Sequence, residues 1–214
     1  KEDLAEVIRA RSVLSQRFGK AYLRFDKPIS FRDFLQKWNE SGLATTESDA
    51  ARGLVQDFAN HVMTGIVRAA VVTPVGLAAA GLICSGRTRV SRAMVNGAID
   101  NFAAVMRKEG YEFADNLEKN FSQSVETALG LMCDRGFAEV EPHMGEGENS
   151  QGYVVDEKAR VTLVFYKNSL VNFLWPASLF STVLLMHNSH GAEITPAMRE
   201  DFRALKEVLS GELI

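Results

Sequence analysis

The sequence predicts a mainly α-helical fold with a few short strands. Apolar residues recur at intervals of three and four over most of the 214 residues, a spacing typical of helices. Glycines at positions 19, 110 and 136 follow such stretches, where helices commonly end. With 46% hydrophobic and 24% charged residues, the chain has the composition of a globular protein, which excludes disordered and collagen-like classes.

Residues 1–42 are expected to contain a basic helix, a strand and a short helix. Apolar residues at helical spacing predict the first helix over 3–17. Residues 20–26 alternate in polarity and are followed by Pro28, which predicts a strand. The apolar positions after Ser30 predict a short helix for which Ser30 is the N-cap.

The next 90 residues predict four helices. The first runs from about Thr46 to about residue 72, where Thr73-Pro74 interrupts it. An alanine-rich helix over 74–83 has the small side chains that suit close packing. Two further helices, over 90–109 and 117–135, each end before a glycine.

Two strands, at 137–141 and 153–155, are predicted on either side of an acidic turn. Helix, helix, strand, turn and strand is the order of a winged-helix module, which we expect over about 88–156. The helix that would enter a DNA groove has a net charge of −1, with two basic residues against three acidic, and the following segment adds four glutamates. We therefore expect no nucleic-acid partner.

The C-terminal part is predicted to begin with a long apolar helix that Asp156 caps, with a break at Pro176, a continuation to 186, and a last helix from Thr195-Pro196. The uncharged stretches 69–86 and 168–192 approach the length that spans a bilayer. Prolines, glycines and polar side chains interrupt them, which argues against a span. Burial in a helical core is the favoured interpretation, and contact with a membrane surface is the alternative.

No catalytic residue, metal or cofactor is predicted. The four histidines have no nucleophile or ligand set at a recognisable spacing, and no phosphate-binding glycine motif occurs. Cys84 and Cys133 are far apart and belong to no CxxC pair, so a reducing compartment is expected. The first residues do not resemble a secretory signal, and a chain that starts at Lys1 is expected to be part of a longer protein.

Basic residues are concentrated in two places. Seven lie between Arg9 and Arg32, with Asp26 as the only acidic residue among them, and Arg87, Arg89 and Arg92 form a second cluster. Such clusters attract phosphate groups, although a solvated face is an equally good interpretation. The candidates for phosphate or lipid-headgroup contact are Arg17, Lys20, Arg24, Arg87 and Arg89.

Two segments resemble the C-terminal part of bacterial and mitochondrial-type glycerol-3-phosphate acyltransferases. FGKAYLRFDKPISFRDFL, at 18–35, resembles the strand that follows the last acyltransferase block of that family. VVDEKARVTLVFYKNSLVNFLWPASLFSTVLL, at 154–185, is similar to a family helix with a Tyr-basic-Asn centre, here Tyr166, Lys167 and Asn168. It also matches the apolar Pro-Ser segment that follows, here Trp175 to Leu179.

The resemblance implies a parent enzyme of phospholipid synthesis that moves an acyl group from acyl-CoA or acyl-carrier protein to the 1-hydroxyl of glycerol 3-phosphate. The family uses a His-x-x-x-x-Asp pair as its general base, and no such pair occurs in this chain. Residues 1–42 are therefore expected to be the tail end of the acyltransferase domain. Residues 43–214 are expected to form a non-catalytic helical domain, inactive by itself.

The resemblance also implies partners and a location. We expect contact with the upstream catalytic domain, with a membrane surface, and with acyl-CoA or acyl-carrier protein. The expected site is the cytoplasmic face of the inner membrane, where the protein is peripheral and the fragment itself soluble. Phe173, Trp175 and Phe180 are candidates for membrane or domain-interface contact. The alternative function is a winged-helix-like interaction or regulatory domain without enzymatic activity.

Overall fold

The computed structural model describes residues 20–40, 47–142, 151–188 and 194–213. Within these ranges the fold is mainly helical, as predicted, with nine helices and three short strands. The helices are α1 (Phe31–Glu40), α2 (Glu47–Ala69), α3 (Pro74–Ile83), α4 (Arg92–Lys108), α5 (Asp115–Lys119), α6 (Phe121–Asp134), α7 (Glu157–Asn168), α8 (Val171–Met186) and α9 (Pro196–Leu213). The strands are β1 (Arg89–Ser91), β2 (Glu139–Glu141) and β3 (Gly152–Val154). The basic helix expected at 3–17 and the boundary expected near residue 42 lie outside the described residues.

Residues 20–30 form neither helix nor strand, so the strand predicted there is wrong. A strand is stable only when a neighbour takes up its backbone hydrogen bonds, and no described segment pairs with this one. Side chains attach it to the rest of the molecule instead. The Tyr22 hydroxyl donates to Asn116 Oδ1 at 2.7 Å, and Arg24 forms an ion pair with Glu112.

The predicted short helix is confirmed as α1, and Ser30 caps it by accepting the Asp33 backbone N–H at 3.3 Å. This helix packs against α2 through aromatic rings. Phe31 and Phe34 lie edge-on to Phe58, with centroid distances of 4.9 and 5.1 Å. No residue of α1 is buried, so this contact covers only part of its apolar side.

Helix α3 is the centre of the core, and eight of its ten residues are buried. Thr73 caps it by accepting the Gly76 N–H at 3.2 Å, with Pro74 at the first helical position. A Cβ at Gly81 would lie 2.7 Å from Ile99 Cγ1, and one at Gly76 would lie 2.9 Å from Ser169 Oγ. Glycines therefore let the neighbouring segments approach α3 closely, in agreement with the predicted close packing.

Three helices and three strands follow α3 in the order β1, α4, α5, α6, β2 and β3, and the sheet has the order β1-β3-β2 with antiparallel pairing. A helix followed by two paired strands agrees in order with the winged-helix module, which stays a prediction. Tyr153 at the centre of β3 lies opposite Val90 on one side and Val140 on the other. The two predicted strands are present as β2 and β3. Strand β1 was not predicted, because three residues are too few to show an alternation of polar and apolar side chains.

The single helix predicted over 117–135 is wrong, since α5 and α6 meet at Asn120. This residue has β-type backbone angles, and its Oδ1 accepts the Gln123 N–H at 3.1 Å, which starts α6 anew. An asparagine side chain competes with helix continuation in this way. The short helix α5 is thereby separated from α6, which carries the buried residues Val125, Leu129 and Met132.

The break predicted at Pro176 is also wrong, because the chain turns at Ser169–Leu170 and Pro176 lies inside α8. Asp156 caps α7 as predicted and accepts the Ala159 N–H at 2.6 Å. Leu170 is fully buried beside Gly76 of α3, so packing sets the position of the turn. Helices α7 and α8 are bent by 96° relative to each other.

Across the described ranges, we find no individual helix with both the length and the apolar character that bilayer crossing requires. Helices α7 and α8 meet the length and composition criterion only as a pair, which the 96° bend interrupts. The last helix begins at Pro196 as predicted, and Thr195 Oγ1 accepts the Met198 N–H at 3.3 Å.

The described chain has two regions of unlike packing. We call residues 20–40 and 47–71 the arm, and residues 72–142, 151–188 and 194–213 the body. Every buried hydrophobic residue described lies in the body, between Val72 and Met198. Among arm residues whose exposure is described, Gly65 alone is buried. The arm therefore rests on the outside of the body and has no core of its own.

Candidate functional site

Two concave surfaces of the arm adjoin the place where residues 24–29 lie against α2. Asp26 occupies that place, since a Cβ at Gly65 would lie 2.8 Å from Asp26 Oδ2. Helix residues 61, 64, 65 and 68 line one concave surface, and residues 62, 65, 66 and 69 line the other. Spacing of three and four places each set on one face of α2. Gly65 thus belongs to both walls.

The first surface, which we call the polar cavity, has a volume of about 320 Å³. Three cationic side chains line it: Lys27 before α1, Lys37 on α1 and Arg68 on α2. Among the described residues none of the three forms an ion pair. Asp26 and Asp33 also line the cavity, and Asp26 Oδ1 accepts the backbone N–H of Lys27 at 2.8 Å. The cavity is therefore polar, and its three cations have no carboxylate partner in the described ranges, so they are available to bind an anion.

The second surface, which we call the apolar groove, has a volume of about 410 Å³. Leu23, Phe25 and Ile29 line it from the N-terminal segment, and Val62 and Ile66 line it from α2. Leu23 and Phe25 are 81% and 85% exposed. Large side chains this exposed in a contiguous patch mark a surface that binds another molecule.

The first basic cluster predicted from the sequence is only partly available. Arg17 lies outside the described residues, and Lys20 is exposed. Arg24 forms an ion pair with Glu112 of the body, which neutralises its charge and attaches the arm. Its assignment to phosphate contact stays a prediction, and the geometry favours a positioning role.

The second basic cluster is largely paired within the described part of the body. Arg89 Nη2 lies 2.7 Å from Glu141 Oε1, across the sheet. Arg92 binds both Glu126 and Gln151, at 2.5 Å each. The exposed side chain of Arg87 forms no ion pair among the described residues. Electrostatic attraction from this cluster is therefore weaker than a count of arginines indicates.

None of the three cations that line the polar cavity is among the candidates predicted from the sequence. Lys37 and Arg68 lie on different helices, and neither belongs to a run of like charge. Lys27 belongs to the first basic run but was not chosen from it. Only the packing of α1 on α2 brings the three together, so no local pattern could have identified them.

The three aromatic candidates have different environments. Phe173 is 1% exposed, and its ring centroid lies 4.8 Å from that of Tyr111, so this side chain offers almost no surface for the predicted membrane or interface contact. The start of α8 faces the core, which buries this residue. Trp175 is half-buried and Phe180 is 36% exposed, and both stay candidates.

No described set of three or more histidine, cysteine or acidic residues is arranged to hold a metal ion. His61 lines the polar cavity, and His187 Nε2 lies 2.6 Å from Asp201 Oδ2, between α8 and α9. Burial raises the pKa of the Cys84 thiol, and burial together with Asp134 raises the pKa of the Cys133 thiol. Both cysteines are therefore protonated at neutral pH and poor nucleophiles.

Comparison with known proteins identifies similar chains. The family model described as glycerol-3-phosphate acyltransferase C-terminal region matches residues 1–214. A curated protein from Shewanella denitrificans named glycerol-3-phosphate acyltransferase is 26% identical over 212 residues, which cover 96% of this chain and 25% of that protein. One of the same name from Pseudomonas entomophila is 23% identical over 225 residues, covering 100% of this chain and 25% of that protein. The chain thus spans about a quarter of the length of these curated relatives.

Proposed function

The chain belongs to the glycerol-3-phosphate acyltransferase C-terminal family, and on this premise we propose that it is the non-catalytic C-terminal part of such an enzyme. The parent enzyme transfers an acyl group from acyl-CoA or acyl-carrier protein to the 1-hydroxyl of glycerol 3-phosphate. One observation carries the proposal: the family match includes all 214 residues, yet these correspond to a quarter of the relatives' length. The second candidate, an interaction domain with no enzymatic parent, has only the order of helices and strands over residues 89–154 in its favour, which agrees with the predicted winged helix.

An activity assay tests this division of roles. We expect the purified 214-residue chain to give no turnover of glycerol 3-phosphate with either acyl donor, because its sequence contains no His-x-x-x-x-Asp pair. The full-length product of the same gene is expected to be active. Turnover by the chain alone would overturn the non-catalytic role, and an inactive, folded full-length product would overturn the enzymatic parent.

We further propose that the upstream acyltransferase part covers the apolar groove of the arm. Leu23 and Phe25 line the groove and are exposed to solvent. About three quarters of the relatives' length lies outside the matched region and is large enough to cover it. An arm without a buried core is stabilised when a large apolar partner covers it. The family membership supplies that partner within the same polypeptide.

Paired substitutions test the groove. Phe25→Asp in the full-length protein should lower acyltransferase activity and increase proteolysis between the two parts, because it places a charge in the covered groove. Phe165→Asp is the matched control, since Phe165 is 75% exposed on α7 of the body. Circular dichroism of each variant in the isolated chain checks that the fold is retained. Equal loss in both variants, or no loss in either, would contradict the proposed contact.

We also propose that the protein is peripheral to the cytoplasmic face of the inner membrane. Phe180 is partly exposed, and Leu185 and Met186 at the end of α8 are 79% and 62% exposed. An exposed apolar helix end of this kind inserts into the headgroup region of a bilayer. The products of the proposed reaction are lipids, which supports a location at a membrane surface.

Liposome flotation tests the membrane contact. The 214-residue chain should float with anionic liposomes, and Trp175→Glu and Phe180→Glu should each reduce the floated fraction. Val55→Glu serves as the control, since Val55 is 68% exposed on α2 of the arm. Flotation that is unchanged by the α8 substitutions, or reduced equally by the control, would reject the contact through α8.

A further inference from the structure

The cations of the described structure fall into two groups. Arg24, Arg89 and Arg92 have carboxylate partners, so much of their field is already compensated. Lys27 and Lys37 have none among the described residues, although both line the same 320 Å³ cavity as Arg68, which also lacks one. Placing three like charges around one concavity costs free energy through mutual repulsion. An anion bound between them removes that cost.

The walls restrict the kind of anion. Ser30 and Asp33 line the cavity, so the first turn of α1 with its partial positive charge forms part of the wall. Asp26 and Asp33 add two negative charges beside the cations. The three cations exceed these two carboxylates by one positive charge, which favours a single compact anion over a long polyanion such as nucleic acid. A volume of about 320 Å³ is at the lower end of the range for small-molecule sites.

From this arrangement we propose that the polar cavity binds one phosphomonoester group, with Lys27, Lys37 and Arg68 as its ligands. A phosphomonoester has two charges and three terminal oxygens, which matches three cationic donors in number. Arg68 donates through its planar fork, and the lysines act as point charges. The group belongs either to a soluble phosphate compound or to a lipid headgroup of the phosphatidic acid type. The inference does not depend on the acyltransferase proposal.

Titration of the 214-residue chain with inorganic phosphate tests the site, with calorimetry for affinity and amide chemical shifts for location. We expect shifts at Ser30 and Thr64, both of which line the cavity. Lys37→Gln and Arg68→Gln should each weaken binding about tenfold, the loss of one charge-assisted hydrogen bond. Arg87→Gln is the matched control, since Arg87 is exposed and without an ion pair in the described structure but lies outside the cavity.

A second titration distinguishes the two sources of the phosphate. Phosphatidylcholine vesicles that contain phosphatidic acid present a phosphomonoester headgroup, and vesicles with phosphatidylglycerol present a phosphodiester. Binding of inorganic phosphate assigns the site to soluble compounds, and binding to phosphatidic acid vesicles alone, lost in Arg68→Gln, assigns it to the headgroup. The proposal is overturned by an absence of binding in both titrations. Equal weakening by Arg87→Gln, or equal binding to phosphatidylglycerol, would overturn it as well.

Discussion

Helices α1 and α3 each have ten residues, yet eight residues of α3 are buried and none of α1. Helix α3 packs against α4, α6 and α7, whereas α1 contacts α2. Helix α3 contains no charged or polar side chain, whereas α1 has apolar side chains on one side only, so both the composition and the neighbours of each helix contribute to the difference. The body is therefore expected to be stable by itself, and the arm to depend on further contacts. Six variants, in four experiments, test this comparison.

Truncation of one leucine in each region should give the largest contrast. Leu77→Ala removes a fully buried side chain of α3 and should lower the free energy of unfolding by about 2–5 kcal/mol through lost transfer energy and a cavity. Leu23→Ala in the arm should change it by less than about 0.5 kcal/mol, because its side chain is 81% exposed. Urea denaturation measures both. A comparable loss from Leu23→Ala would show that the groove is closed in the isolated chain.

Glycine substitutions sharpen the comparison at helix contacts. A Cβ at Gly81 would lie 2.7 Å from Ile99 Cγ1 and 3.1 Å from the Val95 carbonyl oxygen, so Gly81→Ala should destabilise the body by about 1–3 kcal/mol.

The arm counterpart is Gly65→Ala, where the nearest atom is the end of the half-buried Asp26 side chain, which can rotate. We expect a change near zero, since the gain of up to about 1 kcal/mol in helix propensity offsets the displacement of Asp26. Thermal melts of both variants measure the difference. Equal destabilisation would mean that Asp26 is as rigid as the core.

Loss of a single hydrogen bond should loosen the arm without affecting the body. Tyr22→Phe removes the hydrogen bond that the Tyr22 hydroxyl donates to Asn116 Oδ1. The free energy that holds the arm on the body should fall by about 0.5–1.5 kcal/mol. Hydrogen exchange should become faster in residues 20–40 and stay unchanged in α3. Faster exchange in both regions would show that arm and body unfold together.

Alkaline pH should act on the body through Tyr153. Burial raises the pKa of Tyr153 above its usual value of 10, with Glu126 and Cys133 adding to the rise and Arg92 opposing it. The unfolded chain therefore ionises first, so stability is fully present below about pH 10 and falls as pH rises towards the folded pKa. Tyr153→Phe removes this contribution, and its stability should fall less steeply above pH 10, by up to about 1 kcal/mol per pH unit. Identical slopes in urea titrations of the two proteins would contradict the assignment.

Local signals in the sequence predicted much of the fold. Ser30, Thr195 and Asp156 accept backbone N–H groups three residues ahead, and Pro74 and Pro196 begin helices. Each interaction extends over a few residues, so the sequence alone contains it. The predictions that failed depended on distant partners: the strand at 20–26 has no neighbour among the described residues, and the turn at Ser169–Leu170 is set by packing on Gly76.

The sequence by itself determined the helical class, most helix starts and the family resemblance, because these depend on the order and spacing of neighbouring residues. Only the tertiary structure decided which cations are paired and which share a cavity. Arg89 is paired with a carboxylate 52 residues away, and Tyr22 with an amide 94 residues away. Lys27, Lys37 and Arg68 meet where α1 packs on α2. Coulomb energy and hydrogen bonding depend on distance in space, which the order of residues does not specify.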